Sequence, residues 1–358
     1  MGLATAWRAA AADLRVVLLE QFQFGHDRGA SHGEERIFRY GYTDAAYVRL
    51  AIAADEGWKQ LEADAGRTLV DRIGCIDHGR LDELEVMAAA CQREGVAVEW
   101  FGPDEAQQRW PGMRFSSPVL HQPGGGRIRA AEVLESLRIL AAVAGAELRP
   151  DQLVTQFVHN DEWVRVMTES GAFVAPVAVV AAGAWSGPLL FGQVDLPLLT
   201  TTCERVAFFA PRDAADPWPS FIHRSDISHY GLPGPSGLVK MAEHHTGPIT
   251  TGDTRSFEVD PASLAALGAY AAEWLPGLDP EPVDATTCLY TSTPSEDFVL
   301  DRVGQIVVGA GFSGHGFKFV PEIGRILAAM AVGQPPPGGP FTLGPGRRAG
   351  VVGPSGHR

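Results

Sequence analysis

Residues 4–20, "ATAWRAAAADLRVVLLE", decide how the chain is read. Positions 15–19 are a short run rich in valine and leucine that closes on an acidic residue, Glu20. A strand of that kind, ending in a carboxylate placed to accept hydrogen bonds from a ribose, is how the second strand of a dinucleotide-binding βαβ unit ends. The alanine-rich positions 3–14 before it contain no breaker and suit a helix packed closely on a sheet. A strand and a glycine-rich turn belong in front of that helix, and the sequence holds neither. Any apolar strand of an α/β core can end in Glu, so the reading needs support from elsewhere in the chain.

Composition sets the bounds. The chain of 358 residues, 45% hydrophobic, is long enough to bury a substantial core. A formal charge of -14 argues against nucleic acid and anionic membrane surfaces as partners, because both attract Lys and Arg. No apolar run approaches the ~20 residues of a membrane span, and the start has no basic region followed by an apolar one. A cytoplasmic protein without membrane contact is expected. Cys75, Cys91, Cys203 and Cys288 lack CxxC spacing, so neither a metal site nor a disulfide framework is expected, and each reads first as a small buried hydrophobe.

Helical and strand-like runs interleave without a long linker. Helices are expected over 81–94 and 130–144, the second capped by Gly145, and over 261–274. The alternation from Glu162 predicts a hairpin followed by a buried strand running to Gly183. Positions 199–210 and 229–242 read as sheet with Gly/Pro turns. From Gln305 a strand enters a glycine-rich loop, and a helix with Pro321 in its first turn follows. The Pro/Gly/Arg-rich end, 341–358, is expected to lack order.

Three further segments carry chemistry. "GASHGEERIFRYGY" (29–42) sets Ser31, His32, Arg36 and Arg39 close together. Arginines three apart on a helical turn share a face suited to a carboxylate, although a solvated turn pairing with Glu34 and Glu35 is the plainer reading. "GAGFSGHGFKFVPEIG" (309–324) is a glycine-rich turn feeding a helix N-terminus, which favours an anion, with His315 and Lys318 inside it. "TTCLYTSTPSEDFVLD" (286–301) follows "GLVKMAEHH" (237–245), where Lys240 sits in a strand-like run. Taken alone, Lys240 reads as an edge-strand lysine facing solvent, and the adjacent His244 and His245 make a poor metal pair.

Together these segments resemble the monomeric sarcosine oxidase and N-methyltryptophan oxidase family, flavoproteins of the D-amino-acid-oxidase class. "SHGEERIFRYGY" looks like that family's SHGxxRxxRxxY signature, "RWPGM" (109–113) is similar to its RWPG turn, and "GFSGHGFKF" (311–319) is close to its most distinctive string. The matches run in order from residue 1 to about 333. The resemblance implies an α/β protein: a glutathione-reductase-type FAD-binding domain (1–70, 122–198 and 286–340) interwoven with an α+β substrate domain carrying a mixed or antiparallel sheet (71–121 and 199–285).

It further implies FAD bound covalently through Cys288. Lys240 would promote reaction with oxygen, Arg39 and Lys318 would bind the substrate carboxylate, and His32 and Arg36 would lie beside the flavin. His244, Tyr230 and Tyr290 would line the amine pocket. Glu20 would take the ribose and the Val154 backbone the adenine. Gly2, Ser31, Gly183, Trp185, Gly314, His315, Gly316 and Lys318 would complete the cofactor site, with Gly314 also near substrate. The implied reaction oxidises the secondary amine of an N-alkyl amino acid to an imine that hydrolyses, with oxygen reduced to hydrogen peroxide, in a monomer without a metal. A cyclic imino-acid oxidase or dehydrogenase and a non-catalytic relative are the alternatives. In the family a glycine-rich GxGxxG loop precedes the first helix, and "MGLATAW" resembles the end of that loop. Met1 is therefore expected to be an internal residue of the natural protein, with about a dozen residues upstream.

Overall fold

The computed structural model describes residues 1–344. The chain divides into two compact units, one of Met1–His32, Leu134–Thr201 and the chain from Tyr290 onward, the other of Gly33–Val133 and Thr202–Leu289.

In the first unit the opening helix is Gly2–Ala10, and its buried Ala4, Ala6 and Trp7 belong to the core. It ends earlier than the expected residue 14 because Asp13 turns into the left-handed region at φ 63°. The helix packs on Val320–Ala331, where Gly324 lets the two backbones approach: a Cβ there would stand 2.6 Å from that of Ala4. Val17–Leu19 pairs in parallel with Glu147–Arg149, and Ala178–Val180 in parallel with Ile306–Ala310, which Val299–Val303 joins from its other side. These are separate sheets among the described residues, with Val17–Leu19 and Ala178–Val180 each paired along one edge. The expected hairpin is Val164–Thr168 with Gly171–Ala175, extended by Val154–His159 into an antiparallel sheet. Apolar side chains of these strands bury one another, including Phe157, Val180, Ile306 and Val308.

The tail expected to be without order is placed as far as it is described. Phe341 and Leu343 are buried, and the Leu343 amide donates to Asp301 Oδ2 at 2.8 Å. Burial of two large apolar side chains outweighs the Pro/Gly composition there. The remainder, 345–358, lies outside the described residues.

The second unit is built on an eight-stranded sheet in the order Asp284–Ser292, Thr200–Phe209, Val239–Glu243, His229–Pro233, Ser220–Arg224, Cys75–Gly79, Val119–Gln122, Glu99–Phe101. From Thr200–Phe209 onward neighbours run antiparallel except at Ser220–Arg224 and Cys75–Gly79, which are parallel. The helix Pro261–Trp274 is capped by Asp260, whose side chain accepts from the Ser263 amide. It packs Leu267, Tyr270 and Ala271 against Ala207, Phe209, Phe221 and Met241 of the sheet.

A three-stranded sheet of Glu35–Phe38, Gly126–Arg129 and Val70–Asp71 sits in the same unit, held by Asp71 between Arg127 (2.6 Å) and Arg129 (2.7 Å). Bonds to the large sheet tie this layer to the second unit: Ser220 Oγ donates to the Gly126 carbonyl at 2.9 Å and Arg127 Nη1 to the Pro233 carbonyl at 2.9 Å, so residues 33–70 and 122–133 group there and not with the first unit, where the expected boundaries had them. The strand pairing also corrects the expected helical turn at Arg36. Glu35–Phe38 is extended, and residues three apart on a strand point to opposite faces.

Candidate functional site

Lysine is scarce in this chain. Of its basic side chains only Lys59, Lys240 and Lys318 are lysines. Lys59 is a solvated surface residue, half-exposed at 56%, whereas Lys240 and Lys318 are buried. A buried ammonium is costly unless something compensates it, so two of three lysines in such places mark positions where lysine chemistry is needed.

Lys240 lies in Val239–Glu243, an interior strand between Thr200–Phe209 and His229–Pro233, with Phe208 and Leu232 directly opposite it. The solvent-facing edge expected from the residue alone is thus corrected: both flanks of the strand are paired. Its Nζ donates to the Glu35 carbonyl at 3.3 Å and stands 3.7 Å from the Glu35 carboxylate. Burial, reinforced by the nearby Arg36 charge, pushes the ammonium down to about 8, against the opposing pull of Glu35 and Cys288. Glu35 was not singled out from sequence. The visible sign was a second acidic residue directly before Arg36, and its burial to 2% came only from the fold.

Arg36 Nη1 donates to the Glu35 carbonyl at 2.7 Å. Arg39 lies with its guanidinium carbon 4.2 Å from the Tyr42 ring centroid, and its Nη1 is buried with no hydrogen-bond partner among the described residues. A guanidinium with an open donor in a protein interior calls for an anion, and a carboxylate matches its planar fork. Cys288 is half-buried on Asp284–Ser292, while Cys75, Cys91 and Cys203 are fully buried as expected. Tyr230 and His244 meet edge to face at 6.2 Å.

In the first unit Glu20 follows the end of Val17–Leu19, as the opening stretch predicts, and its Oε1 accepts from the Phe22 amide at 3.1 Å. His26 Nε2 lies 3.5 Å from the same oxygen, and Phe22 touches both His26 and Trp185, with ring centroids at 4.9 and 5.7 Å. This brings together Glu20 and Trp185, far apart in sequence, with Phe22 and His26, which the sequence reading missed. The signal available was only an aromatic residue just after the strand.

Gly183 and Trp185 form a single 3-10 turn, with Gly183 at φ 54° and open space where a Cβ would point. Val154 opens its strand, and Ser31 and His32 are half-buried. In the glycine-rich loop Gly311, Ser313 and Gly314 all have positive φ. A Cβ on Gly314 would lie 2.3 Å from the buried Tyr290 ring, and one on Gly316 2.5 Å from Phe312, so the glycines are imposed by close packing. Lys318 Nζ turns back on this loop and donates to the His315 carbonyl at 3.0 Å.

In the first unit the donor set suits the nucleoside of FAD: a carboxylate at a strand end, an open positive-φ glycine beside it and aromatic rings. In the second unit a half-buried thiol, Cys288, is close enough to act on the Lys240 charge. Gly2 stands at the start of the first helix as the one glycine there. Among the described residues no cluster of His, Cys, Asp and Glu is arranged to hold a metal. An open groove lined by Leu81, Glu85, Gln92, Trp100, Phe101 and Pro118 lies at the opposite end of the eight-stranded sheet and contains none of these residues.

Fold and donor set define a flavin-dependent oxidoreductase, and comparison agrees: residues 1–330 match the family "FAD dependent oxidoreductase", to which the chain belongs. Within it the chain groups with the sarcosine oxidases. The peroxisomal sarcosine oxidase of Homo sapiens is 32% identical over 349 residues, spanning 92% of this chain and 89% of that one. The monomeric sarcosine oxidase of Streptomyces avermitilis is 32% identical over 353 residues, 93% and 91% of the two chains. Among solved structures, the open form of NikD, an unusual amino acid oxidase essential for nikkomycin biosynthesis, is similar with a TM-score of 0.82 at 28% identity, covering 92% of this chain and 91% of that one.

Proposed function

We propose that the chain is an oxidase of secondary amines that acts on an N-alkyl amino acid of the sarcosine or N-methyltryptophan kind. The observation that carries this reading is the buried Lys240 ammonium, held in an interior strand beside a half-buried cysteine. FAD, when bound, supplies the acceptor for the two electrons and hydrogen lost from the carbon–nitrogen bond, and oxygen takes them on as hydrogen peroxide. The imine left behind adds water and splits into a primary amine and an aldehyde.

The chain's own residues supply orientation and charge. Arg39 offers its open Nη1 to the substrate carboxylate, and Lys318 is a second cation for the same group. Lys240 holds a positive charge where oxygen acquires electrons, an arrangement worth most where water is excluded. Tyr230, Tyr290 and His244 shape the amine pocket, and His32 and Arg36 lie beside the flavin. Cys288 is the point of covalent attachment, Glu20 holds the ribose, the Val154 backbone meets the adenine, and Gly2, Ser31, Gly183, Trp185 and Gly314 to Gly316 line the cofactor. A cytoplasmic monomer completes the reading; relatives named monomeric support the monomer.

The test is oxygen uptake by the purified protein supplied with FAD, against sarcosine, N-methyltryptophan and pipecolate, with peroxide measured in parallel. Uptake matched by peroxide for an N-alkyl amino acid is expected. No uptake with any of the three overturns the reading. Intact mass under denaturing conditions tests the Cys288 bond: one retained FAD supports it, and a bare chain from an active preparation removes it.

A further inference from the structure

Two positive groups, Arg36 and Lys240, converge on one residue. The Glu35 carbonyl accepts from Arg36 Nη1 at 2.7 Å and from Lys240 Nζ at 3.3 Å. The carboxylate of Glu35 is buried as well, and its Oε1 makes no hydrogen bond among the described residues yet stands 3.7 Å from Nζ. A buried carboxylate persists only beside a compensating charge, and here that charge is the lysine. The surroundings of Lys240 hold few rivals. Phe208 and Leu232 oppose it on the flanking strands and are apolar, and Cys288 and Arg36 are the other groups acting on its charge. Arg129, opposite Glu35 in the ladder, is bound to Asp71.

We propose that Glu35 is the counter-ion of Lys240, a positioning residue that keeps the ammonium charged and so sets the pH range over which the protein uses oxygen. The second half of this proposal rests on the oxidase reading; the first half does not. Arg36 repels the ammonium and burial disfavours it, and of the two groups that oppose both, Glu35 and Cys288, Glu35 is the larger. Without its charge, Lys240 would lose its proton at lower pH.

The scarcity of lysine makes the test direct. In protein carrying labelled lysine, three side-chain resonances are expected, and Lys240→Met identifies the one that matters. That resonance is titrated by NMR in the wild type, in Glu35→Gln and in Glu35→Asp, with the pH profile of oxygen uptake followed alongside. In Glu35→Gln the Lys240 midpoint is expected to fall by about one pH unit or more, the effect of losing an opposite charge within about 4–6 Å. Glu35→Asp, which keeps the charge one methylene further back, should fall by less.

A Lys240 midpoint unchanged or raised in Glu35→Gln overturns the proposal. If that variant does not fold, an unchanged or raised midpoint in Glu35→Asp overturns it equally. A lowered midpoint in a protein that oxidises none of the amines supports the counter-ion and fails the oxidase reading. An active enzyme whose oxygen profile stays put while the midpoint falls overturns the link to oxygen use.

Discussion

Lys240 and Arg39 illustrate how burial changes what an ordinary side chain can do. An ammonium on the surface is a hydrated point charge, but in the interior strand Val239–Glu243 its field is little screened. If that field stabilises charge on oxygen, Lys240→Met lowers oxygen-dependent turnover by about 100-fold or more. Turnover with an artificial electron acceptor should change far less, and comparing the two acceptors at saturating amine checks the assignment. Equal losses would place the lysine in amine binding. Arg39 is the other case: its buried Nη1 has no acceptor among the described residues. Arg39→Gln is expected to lower kcat/KM for a carboxylate-bearing amine by about 100-fold, the scale of losing a buried charge partner. Steady-state kinetics against a matched amine lacking the carboxylate checks this, since that substrate should be indifferent to the change.

At the scale of elements, close approach is purchased with glycine. The contact of Gly2–Ala10 with Val320–Ala331 depends on Gly324, where a Cβ would stand 2.6 Å from the Ala4 Cβ and 2.8 Å from its carbonyl carbon. Backbone cannot swing aside as a side-chain tip can. Gly324→Ala is therefore expected to destabilise the protein by about 1–3 kcal/mol through overpacking, read as a lower denaturation midpoint with unchanged slope. These elements were legible in the sequence to differing degrees. Pro261–Trp274 was read over its full length, and the structure caps it with Asp260. Glu35–Phe38 was not: four residues with two charges carry no strand period, and pairing with Gly126–Arg129, about ninety positions away, is what makes them a strand.

Across the whole molecule, the second unit carries a stack of rings on the helix-facing side of its large sheet. His78, His223 and His229 stand in register on three neighbouring strands. His78 stacks on His223 at 4.2 Å and His229 on Tyr270 at 3.6 Å, while His223 Nδ1 meets the Tyr270 hydroxyl at 2.9 Å. Burial holds all three below the usual imidazole range, His223 down to about 4. As pH falls below about 6.5 the unfolded chain takes up protons that the folded one refuses, so stability is complete above that pH and is lost progressively toward about 4, at up to about 1.4 kcal/mol per pH unit for each histidine. Urea midpoints at pH 7.5, 6 and 5 should fall in that order. Both ring nitrogens of His78 are buried without hydrogen-bond partners among the described residues, so His78→Phe should fold and show a shallower decline; an unchanged slope would exclude His78 from the effect.

The amino-acid sequence by itself determined the class of fold, the order of its elements and the residue types of the site. The carboxylate after Leu19, the glycine-rich loop before Val320 and the lysine in a strand-like run are local patterns, and local backbone preference is enough to mark them. The tertiary structure alone decided that Lys240 is interior, that Arg39 has a donor without an acceptor and that Glu35 faces the lysine. Burial and counter-charge are properties of how distant strands pair, and no window of sequence contains them. Bonds between distant segments likewise hold residues 33–70 and 122–133 in the second unit: Asp71 pairs with Arg127 and Arg129, and Ser220 Oγ donates to the Gly126 carbonyl, so position along the chain does not set which segments pack together.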